Sequence, residues 1–564
     1  MKFSEFKYVR LDIKFINEKQ IELTNKVNSA TTFEETCLAI DEANKMGRDL
    51  STMINISYIR SSINVEDKFY DEERNFLDQN LPLLGETSSN LSKAILESKF
   101  IKQLKEKYPP QYFTLSEFDL KCFKPEIVAD LQEENRLSTA YSKIIASAQI
   151  NFDGNNYTLS QLSPFTVSSD RVTRERAIQA RVSFYQAHED EIDKIYDDMV
   201  KVRTTIAHKL GYKNFTELGY VRMHRSDYNE EDIKVLRKGV VEYVVPLATK
   251  LYEAQAKRLG LDHLRYFDEK YEFKSGNPTP KGDAAWMVGN AKKMYSELSP
   301  ETGKFFKFMV DHELMDLVSR KGKESGGYCT FIDNYKSPFI FSNFNGTAGD
   351  VDVLTHEAGH AFQCYSSQDI DISGLVFPTN ESAEIHSMSM EFFTWPWMNL
   401  FFKEEVDKYK YSHLGSAITF IPYGTLVDHF QHEVYNNPDM TPLERKATWR
   451  RLEKIYQPHK DYQGCDFYDR GGWWFQQHHI FNSPFYYIDY VLAQTCALEF
   501  WKKSQDDFKN AWKDYLLLCK QGGKYSFLKL VDIAKLDSPF TEDCLKVVVA
   551  DIEKWLFSVD QSSF

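Results

Sequence analysis

Among 564 residues there is no C-x-x-C pair, no long apolar run and no internal repeat, and each absence removes a class of protein. The eight cysteines (Cys37, Cys122, Cys329, Cys364, Cys465, Cys496, Cys519 and Cys544) are scattered, which argues against a disulfide framework or a zinc ribbon and points to free thiols in a reducing compartment. No apolar stretch approaches the roughly 18 to 20 residues of a membrane span, so no membrane partner is expected. The opening MKFSEFKYVRLDIKF spaces charges every few residues and lacks the apolar segment and cleavage site of a secretory leader, which points to the cytoplasm. Glycine and proline number only 25 and 18, too few for collagen-like or low-complexity chains. Basic residues are in deficit as well: 69 against 83 acidic ones leave a formal charge of -14 with no basic stripe, so nucleic acid is not expected as a partner. Solenoid scaffolds lose their main support with the missing repeat.

What is present reads as a mainly α protein. To about Ile145 the chain shows charge-rich helical periodicity, for example Phe76, Leu77 and Leu81, then Leu91, Ile95 and Leu96. Asp153-Gly154, between short strand-like runs, predicts a hairpin. A boundary near Pro164 divides an N-terminal helical lobe, residues 1–165, from a second domain, residues 166–564. Ser168 or Ser169 is placed to cap the next helix, and helical periodicity then continues through Arg203 to about Leu251. FKSGNPTPKGD is a surface loop. Tyr328, Thr330 and Ile332, then Phe339, Ile340, Phe341 and Phe344, mark a small β-region bounded by Gly326-Gly327 and Gly346, and helices resume after Gly349.

The chemistry begins at His356-Glu357-Ala358-Gly359-His360, an H-E-x-x-H pattern within GDVDVLTHEAGHAFQCY, where Asp350 or Asp352 suits a helix start. On a helix, positions i and i+4 share a face, so both imidazoles can bind one metal while Glu357 points at the adjacent coordination position. A hydrolytic zinc site needs a third protein donor and one open position. TNESAEIHSMSMEFF supplies a candidate: it reads as a helix beginning near Thr379 or Asn380 and stopping at Pro396. Ile385, Met388 and Phe392 form its apolar stripe, and Glu384, Ser387 and Glu391 a neighbouring one. Glutamates beside such a stripe are costly unless paired or bound to a cation. Glu384 lies 24 residues after His360, room for a loop and an antiparallel return.

H-E-x-G-H followed by E-I-H-S-M-S-M-E-F resembles the thimet-oligopeptidase and oligoendopeptidase F family of zinc metallopeptidases, with the nearest likeness to its bacterial Pz-peptidase-like branch. FDGNNYTLSQL, RTTIAHKLGYKNFTELGY and HFQHEVYNNPDMTPLERKATW look similar too, so the likeness covers most of the chain after about residue 150. The resemblance implies one zinc ion held by His356, His360 and Glu384, with Glu357 as general base. It implies two helical lobes enclosing a deep channel, with the small β-region beside the zinc helices, and short unstructured peptides as substrates cut at internal bonds. It also implies donors to the scissile carbonyl from HHIFNSPFYYIDY, where His479, Tyr487 and Tyr490 are the leading candidates and His478 and Tyr486 the alternates. A tyrosine or imidazole there can donate to a developing oxyanion. In a chain that is 15% aromatic, packing is the competing reading of each tyrosine.

Other residues take plainer readings. Cys364 reads as a packed thiol, and His386 as a hydrogen-bonded core or channel residue. Asp428-His429 and His432-Glu433 read as a solvated helical face. Glu391 reads either as a carboxylate that orients a ligand histidine from behind or as a simple surface glutamate. SPFIFSNFN is the expected edge strand for an extended peptide. Two rival functions remain: a zinc carboxypeptidase or dipeptidyl carboxypeptidase on a similar helical fold, and a non-enzymatic peptide-binding scaffold.

Overall fold

Polar caps set the helix starts. In the computed structural model, which describes residues 1–561 and 564, Thr32 caps Phe33–Ile63 in a reciprocal capping box with Glu35. Asp170, and not Ser168 or Ser169, caps Arg171–Ala187: its carboxylate accepts from the Thr173 amide at 3.0 Å, while Ser168 accepts from the Asp170 amide. An ionised acceptor at this position outcompetes a hydroxyl. The long helical stretch expected from there to Leu251 is broken into several helices, the first break falling at His188 between Ala187 and Glu189.

Helices from Ile13–Ser29 to Val128–Ala146 form the N-terminal bundle, whose apolar interior (Leu23, Ile40, Leu91, Leu104, Phe113) also takes in Ile372 and Leu375 from far along the chain. The predicted hairpin follows. β1 (Ile150–Phe152) pairs antiparallel with β2 (Asn155–Tyr157), and Asp153 and Gly154 both take positive φ, 49° and 82°, as a two-residue turn of this hand requires.

A three-stranded sheet comprises β3 (Met315–Val318), β4 (Tyr328–Ile332) and β5 (Ser337–Phe344), in the order β3-β5-β4. The expectation that SPFIFSNFN is an edge is therefore corrected: β5 is central, parallel to β3 on one side and antiparallel to β4 on the other. Its almost continuous burial fits a central strand, and the short β3 following a helix carries too little alternation to be read from sequence. The edges are β3 and β4. On β4, Asn55 of the N-terminal bundle donates to the Phe331 carbonyl at 2.9 Å.

Four helices surround the next level of structure: the motif helix Gly349–Ser367, the glutamate helix Asn380–Phe393, the long helix Val406–Asn436 and the late helix Tyr487–Cys519. The glutamate helix is buried on nearly all faces between the motif and late helices. At its crossing with the motif helix a Cβ on Gly359 would lie 2.7 Å from both the His386 carbonyl oxygen and the Ser387 Cα, so backbone meets backbone there. Among the described residues no helix is long and apolar enough to cross a membrane.

Candidate active site

The motif helix aims both histidines at the glutamate helix. His356 Nε2 and His360 Nε2 each lie 3.2 Å from Glu384 Oε2, and this trio is the only one among the described residues with three metal-donor atoms within 4.8 Å of one another. A tetrahedral zinc site with bonds of about 2.0–2.1 Å has edges of about 3.3 Å, so both imidazole–carboxylate separations already match such an edge. The donor set, two imidazoles and one carboxylate, is also the chemistry of a hydrolytic metal centre. Ser387 donates to Glu384 Oε2 at 2.8 Å and Tyr486 to Oε1 at 2.5 Å, so both carboxylate oxygens are anchored.

The protonation of His356 follows from a chain of partners. The Trp395 indole N–H donates to His413 Nδ1 at 3.2 Å, which leaves the His413 proton on Nε2. His413 Nε2 then donates to Glu391 Oε2 at 2.8 Å, and His356 Nδ1 donates to Glu391 Oε1 at 2.7 Å. With its proton on Nδ1, His356 turns the Nε2 lone pair toward the cluster. Burial works to raise the Glu391 carboxyl, but the two histidines hold it below its ordinary value.

Glu357 Oε2 is buried without a hydrogen-bond partner, beside the cluster. Burial raises its carboxyl, opposed by His356 and then His360. Gly327 lies against it: a Cβ there would stand 3.5 Å from Glu357 Oε1.

The late segment supplies the opposite wall. The Gln477 carboxamide accepts from Tyr423 Oη at 2.7 Å and turns its NH₂ to His479 Nδ1 at 3.0 Å, so His479 carries its proton on Nε2, 3.3 Å from Tyr490 Oη. Burial, then neighbouring His478, pulls His479 down to about 3, which keeps the ring neutral. Tyr486 and Tyr490 lie 5.0 Å apart between centroids, with Tyr486 on Glu384. Tyr487 stands one step away, its ring 5.1 Å from His479 and its hydroxyl toward Gln477. His478 turns away altogether, into a separate cavity of about 270 Å³ shared with Tyr58, Arg74 and Glu324.

Cys364 is fully buried, and His386 is buried with Nδ1 2.7 Å from the Ser382 carbonyl oxygen. The reading of Asp428 and His432 as a solvated face is corrected. Both are buried, Asp428 paired with Arg237 and His432 Nε2 3.1 Å from Tyr220 Oη, while only His429 and Glu433 keep partial exposure. Sequence periodicity ranked them by polarity, whereas an arginine from another helix makes their burial affordable.

The sequence also gave no sign of what holds the late segment. Phe485 takes φ +68°, uncommon for a bulky residue. Gln431 accepts from its amide at 2.8 Å, Arg225 donates to its carbonyl and to Asp489 at 2.9 Å, and its ring fills the space a Cβ on Gly219 would need. Phe485, Gln431, Arg225, Asp489 and Gly219 share no sequence motif, each being unremarkable in its own segment.

A motif helix presenting two imidazoles and a buried carboxylate to a glutamate on a second buried helix is the arrangement of a metallopeptidase. Models of the peptidase M3 N-terminal domain and of peptidase family M3 match residues 3–123 and 301–549. A solved structure of Pz peptidase A with an inhibitor is 53% identical, covering 99% of this chain and 100% of that one at a TM-score of 0.98. A second, of a Bacillus anthracis str. Ames protein, is 50% identical over 100% and 99% at 0.94. The chromosomal oligoendopeptidase F of Lactococcus lactis subsp. cremoris is 25% identical over 195 residues, 34% of this chain and only 31% of that protein's length. The chain belongs to peptidase family M3.

Proposed function

We propose that the protein is a zinc-dependent oligoendopeptidase that hydrolyses internal bonds of short unstructured peptides. The observation that carries the reading is the unpartnered, buried Glu357 Oε2 beside three donors at metal-site spacing. His356, His360 and Glu384 hold the ion, which when bound supplies Lewis acidity, polarising a peptide carbonyl and acidifying water. Glu357 takes the proton from the attacking water and delivers it to the leaving nitrogen. Tyr490 Oη and the Nε2–H of His479 donate to the oxygen that gains charge, with Tyr486 holding Glu384 in place.

The peptide backbone pairs with β4. Ile340, opposite Cys329, turns its amide to the Leu314 carbonyl, and Phe331, two residues on, gives its carbonyl to Asn55. Residues two apart face the same way, so the Cys329 amide and carbonyl face the open edge. Main-chain pairing of this kind gives affinity with loose sequence preference. Mass mapping of products from peptides of graded length tests the reading on zinc-loaded protein. Cleavage at internal bonds with a length ceiling is expected, whereas dipeptides released only from the C-terminus would replace the endopeptidase reading, and no cleavage at all would end it.

A further inference from the structure

Strand β4 changes character partway along. Tyr328, Cys329 and Thr330 are partly exposed, whereas Phe331 and Ile332 are buried. The register shows which backbone groups are at stake. Pro338, opposite Phe331, has no N–H to give, and Ile340, opposite Cys329, turns its own to Leu314, so Cys329 and Phe331 both face away from β5. An added strand would meet their amides and carbonyls in turn.

At Phe331 that place is taken. Helix Phe33–Ile63 packs against the strand, and Asn55 donates its side-chain amide to the Phe331 carbonyl at 2.9 Å. A carboxamide N–H there stands in for the backbone N–H that an added strand would offer. Its orientation is enforced. The same nitrogen donates to Ser51 Oγ at 3.3 Å, and Ser51 gives its own proton to Asp333 Oδ2 at 2.7 Å, so a flipped carboxamide would set oxygen against the Phe331 carbonyl and lose both bonds. Thr52 Oγ1 accepts from the Asn334 amide at 3.0 Å, which ties the same helix to the residues that follow the strand.

Cys329 has no such cover. Its helix-side neighbour Tyr58 is 37% exposed, with its ring 5.1 Å from that of Tyr328. Gly327, two residues before Cys329 and facing the same way, is the residue whose missing side chain would stand 3.5 Å from Glu357 Oε1. Phe331 packs instead on Cys364, a helical turn beyond His360. The open stretch of β4 is therefore the one beside Glu357, and the covered stretch leads away from it.

We propose that Asn55 is a specificity-determining residue that ends strand addition on β4 at Cys329, so that a short length of peptide backbone is read there and the chain beyond is free to diverge. Sheet edges are commonly closed to pairing by a covering helix or loop. Here one side chain sets the limit, and because it competes with main-chain groups it acts on every peptide sequence alike. The proposal rests on the pairing of the peptide with β4 given above.

Backbone N-methylation tests it. One unstructured peptide is methylated at each amide in turn, and its binding is measured by calorimetry to zinc-loaded Glu357→Gln protein with and without Asn55→Ala. With Asn55 present, methylation of the amide that meets the Cys329 carbonyl should weaken binding about tenfold, and methylation two residues further along should be tolerated. In Asn55→Ala the Phe331 carbonyl is free to accept, and that second amide should become sensitive too, again by about tenfold. Asn55→Ser, also too short to reach the strand, should reproduce the result and serves if the alanine variant folds poorly. A side chain that only tied the helix down would leave the set of sensitive amides unchanged. The same set with and without Asn55, or no sensitive amide in either protein, overturns the stop, while cleavage of the unmethylated peptide by wild-type protein leaves the peptidase reading intact. If wild-type protein does not cleave the peptide, the peptidase reading fails, and the binding series still decides the stop.

Discussion

Tyr486 donates to Glu384 Oε1 while Oε2 of the same carboxylate faces both imidazoles, so one tyrosine on the late helix fixes the carboxylate of the His356–His360–Glu384 cluster on another. Removing its hydroxyl leaves a buried carboxylate oxygen without a donor. For Tyr486→Phe we expect zinc affinity to fall about 10- to 100-fold, read by competition with a chelator, with turnover at saturating zinc less affected. Tyr490→Phe should show the opposite pattern: intact metal binding and kcat lower by about 100-fold, since its hydroxyl faces His479 and the reacting side. Tyr487→Phe should cost less than Tyr490→Phe, because it acts only through Gln477.

Glu357 makes no hydrogen bond through Oε2, so its substitution disturbs no packing network. Glu357→Gln should retain stoichiometric zinc and lose several orders of magnitude in rate, while Glu384→Ala should lose the metal. Near-normal turnover in the first variant would remove Glu357 from the role of base.

Glu391 receives hydrogen bonds from both His356 and His413. With Glu391→Gln the amide can accept from only one of them through its oxygen, so the tautomer of His356 is no longer enforced. Zinc affinity should drop about 10-fold or more, and His413→Phe should produce a smaller drop of the same kind. Metal titration followed by inductively coupled plasma analysis separates these from an effect on turnover alone.

Arg225 fixes the left-handed Phe485 from its carbonyl side. Arg225→Met should leave the zinc donors untouched yet lower kcat, because Tyr486 and Tyr490 lose their register. It should also lower the melting temperature, since Asp489 is left as a buried carboxylate without its cation. Full activity at saturating zinc would show that the late helix is positioned without it.

Glu499 is raised to about 7, mainly by burial, although the Asp537 amide donates to it at 2.7 Å. Between the ordinary carboxyl value and 7 the folded chain holds a proton that the unfolded chain has released. Stability from this group is therefore full at acid pH and falls as pH rises toward and through 7, by on the order of 3 kcal/mol. Glu499→Gln should flatten that part of the melting profile between pH 5 and pH 8. An unchanged pH slope would mean that Glu499 ionises freely in the fold.

The helical class, the hairpin and the metal-donor trio were legible because each rests on local signals: period, an Asp-Gly turn, and two ligands one helical turn apart. Glu384 was reachable because a glutamate on a Met/Phe-rich helix needs a reason to be there. The order β3-β5-β4 was not legible, since pairing partners lie far apart in sequence and β5 looks alike as an edge or a centre. Arg225, Gln431 and Gln477 were invisible for the same reason. Their work consists of single hydrogen bonds to backbone or imidazole across 50 to 260 residues of chain or, for Gln477, to a ring two residues away that only the fold makes important.

Gly359 carries no donor atom, yet it stands between two that do. Because the His386 carbonyl and the Ser387 Cα occupy the space of its missing side chain, one added methyl would act as a wedge between the helix bearing both imidazoles and the helix bearing Glu384. Donor spacing is thus gauged by an absence. A survey that substitutes only His356, His360 and Glu384 would overlook this position.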